Sequence, residues 1–202
     1  MFDMGPYYLT ALAHLFGSYA TVAAVGVKGR ETRRVQAGDR AGTEFVVEAP
    51  TLVQAIASFT GGQVAQNLFS FDSPMARMGY VEITGTEGTL LVPDPNLFGG
   101  AVRLTHPVTL ATVQSETEWL DVPVPDETYG RGAGALDLAR CIRGGGEPIA
   151  SGELGYHVLD VMASIEESIA SGQTVRLASS TAPVPLLPEG WDPHEDTLGA
   201  GA

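Results

Sequence analysis

The sequence predicts an α+β fold: an antiparallel or mixed open sheet with helices packed on one face. Strand-like segments follow one another through the middle of the chain with short turns between them. Helical periodicity is confined to the two ends, and no strand–helix–strand alternation runs through the chain as a parallel sheet would need. At 202 residues, 44% of them hydrophobic, the chain is long enough to bury a core without a disulfide or metal staple.

The first element is a helix over residues 2–16. Tyr8, Leu9, Leu12, Leu15 and Phe16 recur at the spacing of one apolar helix face. Pro6 is tolerated because the first turn has no N–H partner to lose, and Gly17 ends the run. Strands are expected over residues 19–27, 43–47, 51–60 and 63–71, with Gly61-Gly62 marking a hairpin. Residues 80–84 and 89–92 flank a second turn, Gly85-Thr86-Glu87-Gly88, and residues 101–105 and 119–122 add two more strands. In the first hairpin, Val53, Ala55, Ala57 and Phe59 lie on one face, with Leu52, Gln54, Ile56 and Ser58 on the other. Neither set is wholly polar, so both faces are expected to meet something, helices on one side and a partner subunit or another domain on the other. Helices return over residues 134–143, stopping at Gly144-Gly145-Gly146, and from the N-cap Ser151 to Gly172. Leu154, Val158, Val161, Ile165 and Ile169 form the buried stripe of that last helix. After residue 177 the chain is Pro-rich (Pro183, Pro185, Pro188, Pro193), the composition of an extended or disordered tail.

Composition excludes several functions. Eleven Lys and Arg against 24 Asp and Glu give a formal charge of −13, which opposes phosphate-backbone binding, so no nucleic-acid partner is expected. Cys141 is alone, which excludes an internal disulfide and a cysteine-based zinc site. No signal sequence or membrane-spanning stretch is evident, and the expected compartment is the cytoplasm. His14, His106, His157 and His194 lack helical ligand pairing, so no metal is expected. Gly130-Arg131-Gly132-Ala133-Gly134 lacks the third glycine of a dinucleotide fingerprint, and Asp126-Glu127-Thr128-Tyr129 before it is no buried strand. No cofactor site is therefore expected in this chain alone. No serine sits in a nucleophile elbow.

The remaining polar cluster is Asp3, Tyr7 and Tyr8 around Gly5-Pro6. With a helix starting at Phe2, Asp3 and Tyr7 are i, i+4 neighbours, a carboxylate beside a phenol able to handle a proton or orient a hydroxyl. Helix capping by Asp3 and packing by Tyr7 is the competing explanation. His157 borders the apolar stripe of the last helix, the position of a core histidine, with substrate contact as its alternative role.

Phe2-Asp3-Met4-Gly5-Pro6-Tyr7-Tyr8-Leu9, with Leu12, Leu15 and Gly17 after it, resembles the helix that opens the C-terminal domain of Gfo/Idh/MocA oxidoreductases, the glucose–fructose oxidoreductase and inositol dehydrogenase family. Residues 81–90 are similar to that family's I-x-G-T-E-G-x-L hairpin, Cys141-Ile142-Arg143-Gly144 through Glu147-Pro148 to its I-R-x-G-x-x-P helix end, and residues 155–161 to its closing helix. The resemblance implies a substrate and oligomerisation domain over residues 1–177, of the glyceraldehyde-phosphate-dehydrogenase-like C-terminal type, followed by a tail over 178–202. It further implies a partner Rossmann domain that binds NAD or NADP and bears the Lys of an E-K-P motif. That motif is not found here, where the only Lys is Lys28. Met1 then falls where the family's chain has already crossed between domains.

By the same resemblance Asp3 takes the place of the acidic residue that orients substrate, and Tyr7 stands where many members have a catalytic His. A free phenol titrates near ~10 and is a poor base at neutral pH, so hydrogen-bond donation to a substrate oxygen is the equal alternative. Tyr8, Arg131 and His157 are the substrate-binding candidates, with a surface role the competing reading for Arg131. The implied substrate is a sugar, cyclitol or related hydroxy compound, and the implied assembly is a homodimer or tetramer through the sheet. A non-enzymatic oligomerising or small-molecule-binding module derived from the family is the second hypothesis, and a hydrolase or lyase using Asp3 and Tyr7 the third.

Overall fold

In the computed structural model of the chain, which describes residues 1–74, 81–106, 118–124, 129–188 and 190–195, the first helix, α1, spans Gly5–Phe16. It starts three residues later than the sequence predicts. Residues 2–4 form a turn, closed by the Gly5 N–H donating to the Met1 carbonyl at 2.7 Å. Met4 is the N-cap, and no side chain caps the helix. Asp3 therefore precedes the helix and does not cap it. Pro6 sits in the first turn as expected, and Gly17 ends the helix at a φ of 80° that a side chain would strain.

The chain divides into two compact units, residues 1–74 with 147–188 and residues 75–146 with 189–202. In the first unit, β1 (Tyr19–Val27) leads into a small ribbon of β2 (Thr32–Arg34) and β3 (Glu44–Val46). The hairpin β4 (Leu52–Phe59) and β5 (Val64–Ser70) follows. Later in the chain the helix Gly152–Ser171 runs into a two-residue strand, Val175–Arg176. That strand, β1, β4 and β5 form one four-stranded sheet in this order, with every pairing antiparallel. The register sets Ala24 opposite Ala55 and Ala55 opposite Asn67. Val53, Ala55, Ala57 and Phe59 are all buried, as the alternation predicts, against Leu9 and Ala13 of α1 and Leu154, Val158, Val161, Met162 and Ile165 of the late helix. Burying a side chain of this size contributes roughly 1.5–3 kcal/mol, so this layer is where the unit gains its stability. Ser151 caps the late helix by accepting from the Leu154 N–H, and Gly172 ends it with φ 68°. Gly26 lets Ile169 and Pro50 close over β1: a Cβ there would stand 2.9 Å from Ile169 Cδ1.

The second unit holds β6 (Val81–Thr84), β7 (Thr89–Val92), β8 (Val102–Thr105) and β9 (Leu120–Val122), an antiparallel meander, and the helix α2 (Ala133–Gly144). The late helix is accordingly α3 and the two-residue strand β10. The predicted turn at Gly85–Gly88 is present, closed by the Gly85 N–H on the Gly88 carbonyl at 2.9 Å. A Cβ on Gly88 would strike the Thr105 carbonyl oxygen of β8, so glycine is required by close approach of backbone. None of the α2 residues is buried. Arg140 on α2 lies 5.0 Å over the Trp191 ring and donates to the Asp192 and Glu195 carbonyls. The strands β2 and β10, too short to show periodicity, were not expected from the sequence. Tyr80, the expected start of a strand, and residues 126–128 lie outside the described residues.

Candidate functional site

Asp3 is exposed in the turn before α1, and Tyr7, 40% exposed, occupies the helix's opening turn. The Tyr7 N–H donates to the Met4 carbonyl at 3.3 Å, a tight turn that keeps both residues at this end of the helix. Tyr8 is half-buried, with its ring edge-on to Phe69 of β5 at 6.3 Å between centroids. Beneath them Gly5 is buried, and a Cβ there would sit 3.4 Å from Met162 Sδ, so α1 starts close against α3. The Tyr19 phenol, buried among core residues, donates to the Leu9 carbonyl at 3.1 Å. Burial pushes its pKa well up, which keeps it a neutral donor. Packing on α3 and this bond hold α1 in place, and the solvent side of its start carries a carboxylate and a phenol. A carboxylate accepts hydrogen bonds and a phenol can donate one. The positive end of the helix dipole lies at the same place.

His157 is placed elsewhere. It is fully buried, and its Nε2 accepts the Tyr19 N–H at 2.9 Å. The proton therefore sits on Nδ1, which donates to Ser179 Oγ at 2.8 Å; Ser179 in turn donates to Asp160 Oδ2 at 2.7 Å. Both ring nitrogens are committed, which leaves no valence for a substrate hydroxyl. Burial lowers the His157 pKa, partly opposed by the nearby Asp160 charge. Burial alone would raise the Asp160 carboxyl. The Ser179 hydroxyl, the Ser179 and Ala178 amides and the neighbouring His157 outweigh that and hold it below the usual range. Asp160 and Ser179 could not be found by spacing, because their partnership crosses 19 residues and has no local pattern. The same stretch is fastened at Thr181, whose N–H donates to Ser18 Oγ while Ser18 donates to the Thr181 carbonyl.

Arg131 belongs to the second unit and is exposed. The glycine-rich loop around it enters α2 at Gly132, in a left-handed conformation with φ 103°. The nearest preceding strand among the described residues, β9, has three residues, none of them buried. Among the described residues, this loop lacks the buried strand and tight turn that seat a pyrophosphate. A cavity of about 350 Å³ lies away from the start of α1, beside Ser168, Gln173 and the β1 residues Ala23 and Val25. Among the described residues, no group of three or more His, Cys, Asp or Glu side chains could hold a metal ion, and no helix is long and apolar enough to cross a membrane.

Residues 1–177 match the family model described as "Oxidoreductase family, C-terminal alpha/beta domain" of the Gfo/Idh/MocA group. No curated protein matches by sequence. A levoglucosan dehydrogenase solved as a complex with NADH and L-sorbose is similar at 22% identity and a TM-score of 0.66, over 88% of this chain and 50% of that one. An NAD binding oxidoreductase from Klebsiella pneumoniae is similar at 20% identity and TM-score 0.66, with the same coverage, 88% and 50%. An aldose–aldose oxidoreductase from Caulobacter crescentus, complexed with glycerol, follows at 22% identity and TM-score 0.61, over 86% of this chain and 46% of that one. At these identities the likeness shows a shared fold. The chain spans about half the length of the solved structures it matches.

Proposed function

This chain belongs to the Gfo/Idh/MocA oxidoreductase family, as its C-terminal α/β domain, and from that premise we propose that it is the substrate-side half of an NAD(P)-dependent oxidoreductase acting on a sugar, cyclitol or related hydroxy compound. The observation that carries this reading is the start of α1, where Asp3, in the turn before the helix, and Tyr7, in its first turn, are exposed while the helix packs against Met162 and is bonded by Tyr19. The hydride chemistry would be supplied by a nicotinamide held by another part of the full-length enzyme, since the glycine loop at Arg131 offers no cradle. What these residues do is position. Asp3 accepts from a substrate hydroxyl, Tyr7 donates to the neighbouring oxygen or relays its proton, and Tyr8 forms an apolar wall braced on Phe69. His157 serves the core. The open face of the first sheet, with Val25, Val27, Ile56, Val64 and Leu68 exposed, is assigned to a second copy in a homodimer or tetramer.

Titration of the 202-residue chain with aldoses, ketoses and cyclitols, followed by amide NMR shifts, tests the assignment. Shifts centred on Asp3, Tyr7 and Tyr8, lost in Tyr7→Phe, are the expected result. Shifts confined to other residues, or none at high millimolar sugar, overturn it. A micromolar Kd for NAD or NADP in the same chain overturns the division of labour between the two halves.

A further inference from the structure

His157 on α3 joins three segments that lie far apart in the chain. Its Nε2 accepts the backbone N–H of Tyr19 at the start of β1, and its Nδ1 side reaches Ser179 and, through that hydroxyl, Asp160. Tyr19 passes the connection on, because its phenol donates to the Leu9 carbonyl of α1. One buried ring therefore ties the segment after β10, the start of β1 and the first helix together. A histidine that only filled space would need none of these bonds.

The two ring nitrogens respond differently to a proton. Nδ1 already carries one, so its bond to Ser179 Oγ survives charging, and the imidazolium gains the attraction of Asp160. Nε2 holds the lone pair that a second proton must occupy, and the Tyr19 N–H is bonded to that lone pair. A proton from solvent adds to Nε2 only as the Tyr19 bond breaks, since two N–H donors cannot face each other across 2.9 Å. Among the described residues, the charge that faces the ring is Asp160 of α3. β1 contributes the Tyr19 ring, 5.9 Å away between centroids and kept neutral by burial, and the segment after β10 contributes the Ser179 hydroxyl. From α1, Leu9 and Ala13 share the core and are apolar. The surroundings of Tyr19 keep the loss local: the pairing of β1 with β4 is irregular between Tyr19 and Thr21, while Ser18 is held separately by Thr60 and Thr181.

We infer that His157 is an acid-operated release: on taking up a proton it lets go of the Tyr19 N–H and keeps Ser179, so the start of β1 loosens while residues 177–181 stay fastened. The Tyr19 phenol carries the effect to α1, at whose start Asp3 and Tyr7 lie. Burial places the release below the ordinary imidazole range, and Asp160 opposes that shift. The release stands on the bonds around the ring. Its consequence for substrate, a weaker hold on a sugar hydroxyl as the same proton is taken up, rests on the function proposed for Asp3 and Tyr7.

Amide hydrogen exchange of the whole chain, read residue by residue by NMR between about pH 7.5 and 5, tests the release. The protection factor of the Tyr19 amide is expected to fall roughly tenfold more than that of the core amide of Val161, with Ser179 and Thr181 following Val161. Ring 15N shifts should show the proton on Nδ1 at the upper pH and both nitrogens protonated as Tyr19 protection is lost. Asp160→Asn keeps an acceptor for Ser179 and removes the charge, so the loss at the lower pH should be smaller. His157→Gln, whose amide oxygen can accept from the Tyr19 N–H, should abolish it. Should that variant fail to fold, wild type and Asp160→Asn still decide. Equal loss at Tyr19, Ser179 and Val161, unchanged Tyr19 protection while the ring titrates, or a ring still neutral at the lower pH overturns the release. Sugar-induced shifts at Tyr7 that weaken on acidification in wild type but not in His157→Gln carry the release to the site. A wild type that loses Tyr19 protection as expected but binds no sugar at the upper pH overturns the substrate reading and leaves the release standing.

Discussion

Along β4 the side chains alternate between two environments. Val53, Ala55, Ala57 and Phe59 are at most 3% exposed, whereas Ile56, between two of them, is 58% exposed. The first set meets α1 and α3; on the other side Val25, Val27, Val64 and Leu68 stand exposed around Ile56. One sheet thus carries apolar residues on both faces and covers only one of them. The covered face holds the unit together, and the uncovered face spends hydrophobicity without stabilising this chain. The covered face carries what the fold needs and the exposed face what the proposed assembly needs, so substitutions on the two faces should behave differently.

The largest effect belongs to the covered face. Ile165 of α3 is 1% exposed within the core. Ile165→Ala leaves a cavity that the neighbouring β1 and β4 can only partly close, and is expected to cost about 2–5 kcal/mol in urea-induced unfolding. A loss under about 1 kcal/mol would mean that α3 contributes little to that face and that the sheet is held some other way.

A pH-dependent effect comes next, on the same covered side. His157 is buried neutral with its pKa lowered, so the unfolded chain binds a proton near its ordinary value of about 6.5 that the folded chain does not. Its contribution is complete above pH 6.5 and falls away as the pH drops below it towards the folded value. Asp160, held below the usual carboxylate range, adds a further loss only once the pH falls below about 4. Urea midpoints from pH 8 to 4.5 should therefore be level and then decline, and His157→Gln should flatten the part between pH 6.5 and 5. Stability that rises on acidification through this window contradicts the buried, neutral assignment.

Much of this was legible beforehand, for reasons that differ by element. The β4 alternation, the Ser151 cap and the Gly85–Gly88 turn are local patterns, and local patterns survive into the fold. The start of α1 is less legible, because Pro6 permits any opening up to its own position and residues 2–4 form a turn instead of a helical run. Asp3, Tyr7 and Tyr8 could be named from sequence since they are neighbours. The partners of His157 could not, because Tyr19 lies 138 residues away and Ser179 lies 22 away across a chain reversal. Nor does a run of three residues such as β2 offer enough alternation to be seen.

The smallest expected effect on stability is at Ile56, and it is the sharpest test of the comparison. Ile56→Thr keeps the β-branch that suits a strand and replaces an exposed methylene-bearing side chain, so the folded monomer should lose no more than about 0.5 kcal/mol. If the uncovered face serves a second copy, the same change should weaken self-association in sedimentation while leaving the urea midpoint of the dilute monomer in place. A residue whose substitution leaves folding intact but dissociates the protein is under assembly constraint alone. Should Ile56→Thr instead unfold the monomer as strongly as Ile165→Ala, the two faces would be equivalent, and the exposed apolar strip would need an explanation within this chain.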